Sequence, residues 1–280
     1  MTDLPSFDLT GKTALVTGAA RGLGRAIALA LADAGADIAL GLRDADMDNG
    51  VAAEVEKLGR RVLRLQMDVV NLAQSHAAIE GAIAHFGRID ILINNVGGGI
   101  ERPLLDVTED EFDGTVDLNV KSSFFIAQRL ARHMREKGGG TIVNMSSQAG
   151  FIALPGEGVY CLSKAAVAHM TKCMAVEWGQ YGITVNAVAP TFIETDGTSS
   201  ALAVPAFKAD VIERVAALHR IGVPREVSGA VVFLASPAAS LMTGQTLIID
   251  GGWTARWHAA TRAITPRPIA RRRSSRCWRC

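Results

Sequence analysis

The chain has few cysteines, no histidines at metal-ligand spacing and almost no net charge, and each shortage excludes a class of protein. Of its four cysteines, Cys161 and Cys173 lie on one predicted helix, roughly 18 Å apart, which is too far for a disulfide. The pair Cys277 and Cys280 has no further zinc ligands near it. We therefore expect neither a structural disulfide nor a metal site, and we expect a cytoplasmic protein in a reducing compartment.

The net charge of +1 hides an asymmetry, because residues 255–280 carry eight arginines and no acid and leave the rest of the chain near −7. An acidic body does not favour nucleic acid or an anionic membrane as partner. The N-terminus has no apolar run of signal-peptide length. The charge-free run 227–249 contains Pro237 and Gly244, so a helix, a turn and a buried strand explain it better than a membrane span.

Short apolar runs alternate with helical patterns along the chain. The runs are largely continuous rather than alternating, as in strands that are covered on both faces. Their order, strand then helix, predicts an α/β fold with a doubly wound parallel sheet of about seven strands, in a single domain over residues 1–254. The predicted strands are 13–17, 38–42, 62–66, 89–93, 141–145, 184–188 and 246–249.

The periodicity stops after Trp253, and residues 255–280 are rich in arginine, serine and proline. This composition predicts a basic, disordered tail. The tail is either an extension without a role or a basic arm that docks on an acidic surface.

A glycine-rich segment, TGAARGLG at residues 17–24, follows the first predicted strand and opens the first helix. Glycines allow a tight turn and the close approach of a pyrophosphate, and a helix N-terminus offers unpaired N–H groups to an anion. Strand, glycines and then helix is the context that a dinucleotide-binding turn requires. The spacing of Gly18, Gly22 and Gly24 differs from the GxGxxG pattern.

Tyr160 and Lys164 are four residues apart on a predicted helix and therefore lie on the same face, one turn apart. A nearby positive charge favours the phenolate and lowers the pKa of a tyrosine, which fits the tyrosine for proton exchange with an alcohol or carbonyl oxygen. Such pairs also occur by chance on exposed helices, so the assignment depends on the other motifs.

Taken together, these motifs resemble the short-chain dehydrogenase/reductase family over residues 7–253. The glycine segment resembles TGxxxGxG, and residues 94–97, NNVG, resemble NNAG with valine in place of alanine. Residues 160–164, YCLSK, match YxxSK; Ser147 precedes the tyrosine at the usual separation, and Asn119 matches a fourth catalytic position.

The resemblance implies a nicotinamide-dependent oxidoreductase that interconverts a carbonyl and an alcohol, assembled as a homo-oligomer, most simply a tetramer. It assigns proton transfer to Tyr160, the ribose hydroxyls to Lys164, the substrate oxygen to Ser147 and a relay water to Asn119, and it leaves Ser146 structural. The residues expected at the cofactor are Gly18, Arg21, Gly22, Leu23, Gly24, Arg43, Asp68, Val69, Asn95, Gly97, Tyr160, Lys164, Pro190, Ile193 and Thr195. Asp68 has an alternative role as a helix cap.

The cofactor is predicted to be NADP(H), with NAD(H) as the alternative. NAD-preferring relatives place an acid where this chain has Leu42, and the next residue is Arg43. A guanidinium suits a 2′-phosphate, and Arg21 adds a second charge. Asp44 argues for NAD(H), because its carboxylate would suit a ribose hydroxyl.

The substrate is the open question. The expected pocket walls are residues 98–102, 148–158 and 191–208, with 195–209 as a lid candidate. Arg102, Gln148 and Glu157 favour a sugar, a polyol or a sugar acid, whereas the apolar residues of the same loops leave a ketone or 3-oxoacyl thioester reductase as the alternative. A non-catalytic dinucleotide-binding regulator is the remote alternative, which the intact serine–tyrosine–lysine set does not favour.

Overall fold

A central parallel sheet positions the helices and the loops of the site. The computed structural model describes residues 4–215 and 217–255, and their seven strands form one parallel sheet in the order β3-β2-β1-β4-β5-β6-β7. This confirms the predicted doubly wound α/β fold. The strands are β1 Thr13–Thr17, β2 Asp37–Leu42, β3 Val62–Gln66, β4 Ile91–Asn94, β5 Gly140–Met145, β6 Ile183–Pro190 and β7 Thr246–Ile249.

Helices cover both faces of the sheet, which explains the continuous apolar runs. In β1, Ala14 and Val16 pack against α1 and α9, whereas Leu15 faces α3 and α5. The helices are α1 Gly22–Asp33, α2 Val51–Lys57, α3 Leu72–Phe86, α4 Glu109–Val116, α5 Ser122–Glu136, α6 Gly158–Trp178, α7 Ser199–Leu202, α8 Pro205–Arg214 and α9 Pro224–Ala235.

The strand order reverses between β1 and β4, where one chain segment leaves toward β2 and the other toward β5. In open α/β sheets, ligands bind in the crevice that such a reversal opens at the carboxyl ends of the strands. The glycine segment after β1 and the segment of residues 94–97 at the end of β4 both reach this edge.

Four of the seven strands have bounds that differ from the sequence prediction. β2 and β5 each begin one residue earlier, at Asp37 and Gly140. β4 begins at Ile91 instead of Ile89, because Asp90 turns its carboxylate back to bind the amide of Thr13 at 3.0 Å and Arg88 Nε at 2.6 Å. β6 is longer than predicted, since it continues through Pro190.

The charge-free run 227–249 divides into the end of α9, a turn and β7, as predicted. β7 is not the buried strand that was expected, because it lies at the edge of the sheet and Ile248 is 41% exposed. Within the described residues, no helix is both long and apolar enough to cross a membrane. The basic tail, apart from residue 255, lies outside the described residues, so its predicted boundary and disorder stay predictions.

Candidate active site

The glycine turn is held in a shape that only glycine adopts easily. Gly18 and Gly22 have φ angles of +65° and +56°, in the left-handed region that disfavours other residues. A side chain at Gly24 would place its Cβ 2.2 Å from the carbonyl oxygen of Gly18. Within the part of the chain that the structure describes, no side chain caps the N-terminus of α1, and its first turn has no acid, so its first N–H groups are left to bind an anion.

Asn95 anchors this turn to the neighbouring strand. Its Nδ2 donates to the carbonyl oxygen of Thr17 at 2.9 Å, and its backbone amide donates to Thr17 Oγ1 at 3.0 Å. The sequence analysis did not single out Thr17, although the residue is buried and binds the two chain segments that meet at the crevice. Asn95 thus positions the turn and also lines the adjoining cavity.

A cavity of about 640 Å³ lies along the glycine turn and the carboxyl ends of β1, β2, β4, β5 and β6. We call it the cofactor cavity. Of the fifteen residues expected at the cofactor, thirteen line it, and the two that do not are Asp68 and Val69. Asp68 Oδ1 accepts a bond from the amide of Val70 at 3.2 Å, and Asn71, not Asp68, caps α3. The cap role considered for Asp68 is therefore wrong.

Arg43 and Arg21 both line the cofactor cavity and are exposed. Among the described residues, neither guanidinium has a carboxylate partner within 4.0 Å. Leu42 also lines the cavity, at the end of β2. Asp44 lines it too, but its Oδ1 accepts the amide of Asp46 at 3.0 Å in a local turn.

Lys164 is almost completely buried, with 2% of its surface exposed, and its Nζ donates to the carbonyl oxygen of Met145 at 2.9 Å. Burial lowers the pKa of Lys164 to about 8, because the charged form loses its hydration. A side chain at Gly97 would place its Cβ 2.6 Å from this Nζ and 2.7 Å from Asn119 Oδ1. Gly97 therefore leaves the space that both polar groups use.

Tyr160 and Ser147 stand where the cofactor cavity meets a smaller one, and both residues line both cavities. Burial raises the pKa of Tyr160, a hydrogen bond with Ser147 acts in the opposite direction, and the charge of Glu157 adds to the rise. The ammonium of Lys164 lies 5.6 Å from the centre of the tyrosine ring. The four-residue spacing of Tyr160 and Lys164 on α6 therefore does bring the two side chains together at the cofactor cavity.

Asn119 lies in a π-helical turn, Asp117–Lys121, between α4 and α5, a feature often found at functional sites. Its Nδ2 donates to the carbonyl oxygen of Gly98 at 2.6 Å and to Ser163 Oγ at 2.9 Å, and its Oδ1 accepts the amide of Gly98 at 3.0 Å. The side chain is 1% exposed and lines neither cavity. It thus fixes the loop after β4 against α6.

Ser146 differs from its neighbour Ser147 in direction. Its Oγ donates to the backbone carbonyl oxygen of Lys164 at 2.8 Å, and the residue is buried. This contact joins β5 to α6, which fits the structural role expected for it.

The smaller cavity, about 290 Å³, is called here the substrate cavity. Gln148 and Glu157 line it as expected, but Arg102 does not. The Arg102 guanidinium is paired with Glu111 on α4 at 2.8 Å, so the expectation of a substrate contact from Arg102 is not supported. The lining residues are Gly98, Gly99, Ile100, Glu101, Ser147, Gln148, Leu154, Glu157, Tyr160, Thr191, Phe192 and Thr198.

The segment 195–209, expected as a lid, contains α7 and the start of α8. Thr198, which belongs to the predicted wall 191–208, donates from Oγ1 to the carbonyl oxygen of Ile193 at 2.6 Å and accepts the amide of Thr195 at 3.0 Å. Thr195 Cβ lies 3.6 Å from the point where a Cβ of Gly22 would stand. The segment therefore lies across the cavity, against the glycine turn.

The parallel sheet has a phosphate-binding turn where its strand order reverses, and a tyrosine–lysine pair lies where two cavities meet. These features define the protein as a nicotinamide-dependent oxidoreductase. The family model adh_short_C2, described as Enoyl-(Acyl carrier protein) reductase, matches residues 18–254. The chain belongs to the short-chain dehydrogenase/reductase family, and it acts on CH–OH groups or the corresponding carbonyls.

Well-matched relatives act on small polyhydroxylated compounds. The chain is 39% identical over 257 residues to 2-dehydro-3-deoxy-D-gluconate 5-dehydrogenase of Escherichia coli (strain K12), covering 90% of this chain and 99% of the relative. It is 40% identical over 248 residues to the NAD-dependent glycerol dehydrogenase of Listeria innocua serovar 6a, covering 89% and 96%. A gluconate 5-dehydrogenase from Burkholderia cenocepacia J2315, solved with NADP and tartrate, aligns with a TM-score of 0.86 at 36% identity over 90% and 99% of the two chains.

Proposed function

We propose that the protein oxidises a secondary alcohol of a sugar-like, polyhydroxylated substrate, or reduces the matching ketone, with NADP(H) as cofactor and Tyr160 as the proton-transferring group. The supporting observation is the junction of the two cavities. Ser147 and Tyr160 line both of them, so a substrate oxygen bound between these hydroxyls faces the place of the cofactor.

The residues of the cofactor cavity fit a dinucleotide. A Cβ at Gly24 would close the cradle, the N-terminal N–H groups of α1 have no side-chain cap, and Arg21 and Arg43 have no carboxylate partner among the described residues. These features suit the phosphates, and Lys164 beside Gly97 suits the nicotinamide ribose. When bound, the nicotinamide takes up or supplies a hydride.

The protein's own residues handle the oxygen and its proton. During oxidation, the phenolate of Tyr160 accepts the proton of the substrate hydroxyl, while Ser147 Oγ donates a hydrogen bond to the same oxygen. Burial by itself raises the pKa of Tyr160, so the phenolate needs a nearby positive charge. Lys164 supplies this charge, because a pKa of about 8 leaves its ammonium mostly protonated at pH 7.

The preference for NADP(H) is proposed from the end of β2. Leu42 has no carboxylate to bind a ribose hydroxyl, and the exposed guanidiniums of Arg43 and Arg21 line the same cavity. A planar guanidinium binds a phosphate through two parallel hydrogen bonds. The Asp44 carboxylate, the feature that favours NAD(H), already accepts a backbone amide in its own turn.

The sugar-like substrate class is proposed from the polar lining of the substrate cavity, which includes Gln148, Glu157, Thr191 and Thr198. The relatives named above act on a sugar acid and on glycerol, which supports the same class.

We also propose a cytoplasmic homotetramer. Leu162 and Val176 on α6, the helix that carries Tyr160, are 52% and 84% exposed, and Phe124 on α5 is 37% exposed, which leaves apolar side chains available for contact with a second copy of the chain. Cys161 and Cys173 are free thiols, which suits a reducing compartment. Light scattering of the purified protein measures the oligomeric state, and a monomer would contradict the proposal.

The experiment that tests the chemistry compares the two tyrosines of the chain. Tyr160→Phe keeps the ring and removes the proton donor, so we expect kcat to fall at least about a hundredfold, the usual scale of acid–base assistance. Cofactor affinity, measured by fluorescence titration, should stay unchanged. Tyr181→Phe is the matched control, because Tyr181 follows α6 and contacts Arg135 outside both cavities. Equal activity of the two variants would refute the role of Tyr160.

A further inference from the structure

The substrate cavity is acidic. Glu101 and Glu157 both contribute to its wall, and no arginine, lysine or histidine does so among the described residues that line it. The two segments are in contact, since a Cβ at Gly156 would lie 3.3 Å from Glu101 Cγ. Burial raises the pKa of Glu157, and the charge of Glu101 raises it further.

The arginine of the same loop, Arg102, is held outside this cavity. Arg102 donates from Nε and pairs through Nη2 with Glu111 Oε1, both at 2.8 Å. The other oxygen of Glu111 accepts the amide of Thr108 in the cap of α4, at 3.0 Å. The backbone of Arg102 is fixed as well, because its amide donates to the carbonyl oxygen of Gly156 at 2.6 Å. The guanidinium therefore lies at the start of α4 instead of above the substrate.

Two groups in the wall have donors without a partner among the described residues. Gln148 is 2% exposed and its Oε1 accepts bonds from Ser147 Oγ and the amide of Ala149, but its Nε2 has no hydrogen-bond partner in the described part of the chain. Thr191 Oγ1 is also buried without a partner there, and Thr191 lines both cavities. Buried donors of this kind are costly unless a ligand satisfies them.

We infer that the substrate is an uncharged polyol or ketose, and that Glu101 and Glu157 exclude substrates that carry a carboxylate. This inference rests on the proposed function and narrows its substrate class. Hydroxyl groups can donate to the two carboxylates and accept from Gln148 and Thr191. A carboxylate at the same place would meet like charges and find no cation, a combination that selects against it.

The test uses matched pairs of equal chain length, in which one terminal hydroxymethyl group is replaced by a carboxylate: glycerol and glycerate, threitol and threonate, glucitol and gluconate. For the best pair, we expect kcat/KM of the wild type to favour the polyol at least about tenfold. In the double variant Glu101→Gln/Glu157→Gln, the ratio of kcat/KM for the polyol to kcat/KM for the carboxylate should shrink at least about tenfold. Removal of two like charges at contact range is worth that much or more. Glu101→Gln alone changes an exposed residue, so it tests the same effect if the double variant folds poorly.

Glu136→Gln is the control, because it removes the same charge from an exposed position at the end of α5. This position is near the amino ends of the strands, whereas the cavities lie at the carboxyl ends. It should leave the ratio unchanged. A ratio that the double variant does not move would overturn the inference while the proposed function stands. The inference would also be overturned if the wild type favoured the carboxylate of a pair and the variant Arg102→Gln lost this preference. If the wild type oxidises none of the six compounds with either nicotinamide and reduces only plain ketones, the proposed function fails together with the inference.

Discussion

The two cavities that meet at Tyr160 carry opposite charge. Arg21, Arg43 and Lys164 outnumber Asp44 in the cofactor cavity, whereas Glu101 and Glu157 are the charged residues of the substrate cavity among those the structure describes. The residues that line both cavities carry hydroxyl groups: Ser147, Tyr160, Thr191 and Thr198. Such a division keeps an anionic dinucleotide on one side and disfavours anions on the other, so each ligand has one cavity that suits its charge.

The difference between two arginines shows how the division arises. Arg43 has no carboxylate partner among the described residues and faces a cavity, whereas Arg102 is neutralised by Glu111. An exposed ion pair adds little to stability, but here it decides which cation can reach a ligand.

The largest expected effect is at the buried cation of the cofactor cavity. Lys164→Met keeps the apolar volume and removes the charge that favours the phenolate and binds the ribose. We expect kcat/KM to fall about a thousandfold, within the range that acid–base assistance spans, together with weaker cofactor binding. Loss of turnover with unchanged cofactor affinity would show that Lys164 does not bind the ribose.

The same variant should change how stability depends on pH. Because burial lowers the pKa of Lys164 from 10.5 to about 8, the unfolded state binds more protons than the cofactor-free folded state between these pH values, and this group makes stability rise with pH. Relative to Lys164→Met, the wild type should gain about 2 kcal/mol in the free energy of unfolding between pH 7 and 9.5. Denaturant unfolding at both pH values measures it, and a constant difference would contradict the lowered pKa.

A smaller loss should follow when the space around that cation is filled. At Gly97, the Cβ of an alanine would stand 2.6 Å from Lys164 Nζ and 2.7 Å from Asn119 Oδ1, so one of them must move. A misplacement of this size costs on the order of a hundredfold in kcat/KM. Gly114→Ala is the control, because its Cβ would meet nothing within 4 Å and Gly114 lines neither cavity. Equal effects of the two variants would contradict the assignment of the loss to the crowding of Lys164 and Asn119.

The exposed cation should affect only the choice of cofactor. In Arg43→Ala, we expect the ratio of kcat/KM with NADP+ to that with NAD+ to fall about tenfold, the worth of one charge-assisted hydrogen-bonded contact. Arg64→Ala removes an exposed charge from the neighbouring strand outside the cavity and should leave the ratio unchanged. A wild type that prefers NAD+ would refute the assignment.

The smallest effect is expected for the basic tail. The described fold closes where Thr254 donates from Oγ1 to Asp250 at 2.7 Å, and the periodicity of the sequence ends at the same place. Deletion of residues 255–280 should therefore change neither Tm nor kcat/KM. A second variant keeps the full length and replaces the eight arginines by glutamine. If both variants changed KM in the same way, the tail would reach the acidic substrate cavity.

The sheet could be predicted from sequence because the signal is local and repeated. β1, β3 and β7 have the predicted bounds. The error at β4 has a long-range cause: the carboxylate of Asp90 binds Thr13, 77 positions earlier in the chain.

The residues of the candidate site also fall into two groups, those that a local pattern predicts and those that depend on the tertiary structure. The glycine turn and the Tyr160–Lys164 pair are each encoded within eight residues, so spacing was enough to propose them. The position of Arg102 depends on its pairing with Glu111 on α4, which spacing along the chain does not predict. The cap role of Asp68 was wrong for a local reason, because α3 is capped by Asn71 three residues later. The acidic character of the substrate cavity was missed, because Glu101 and Glu157 are far apart in the chain and only α6, packing beside the loop after β4, brings them together.

The sequence by itself determined the order of strands and helices, the left-handed glycines of the phosphate-binding turn and the helical spacing of the tyrosine and the lysine. Each of these follows from backbone conformation or from the period of one element. Only the tertiary structure decided which charges face a ligand. Arg102 is drawn to Glu111 and Lys164 is buried beside Gly97, because pairing and burial depend on what the fold places next to a side chain, and a linear pattern does not contain that information.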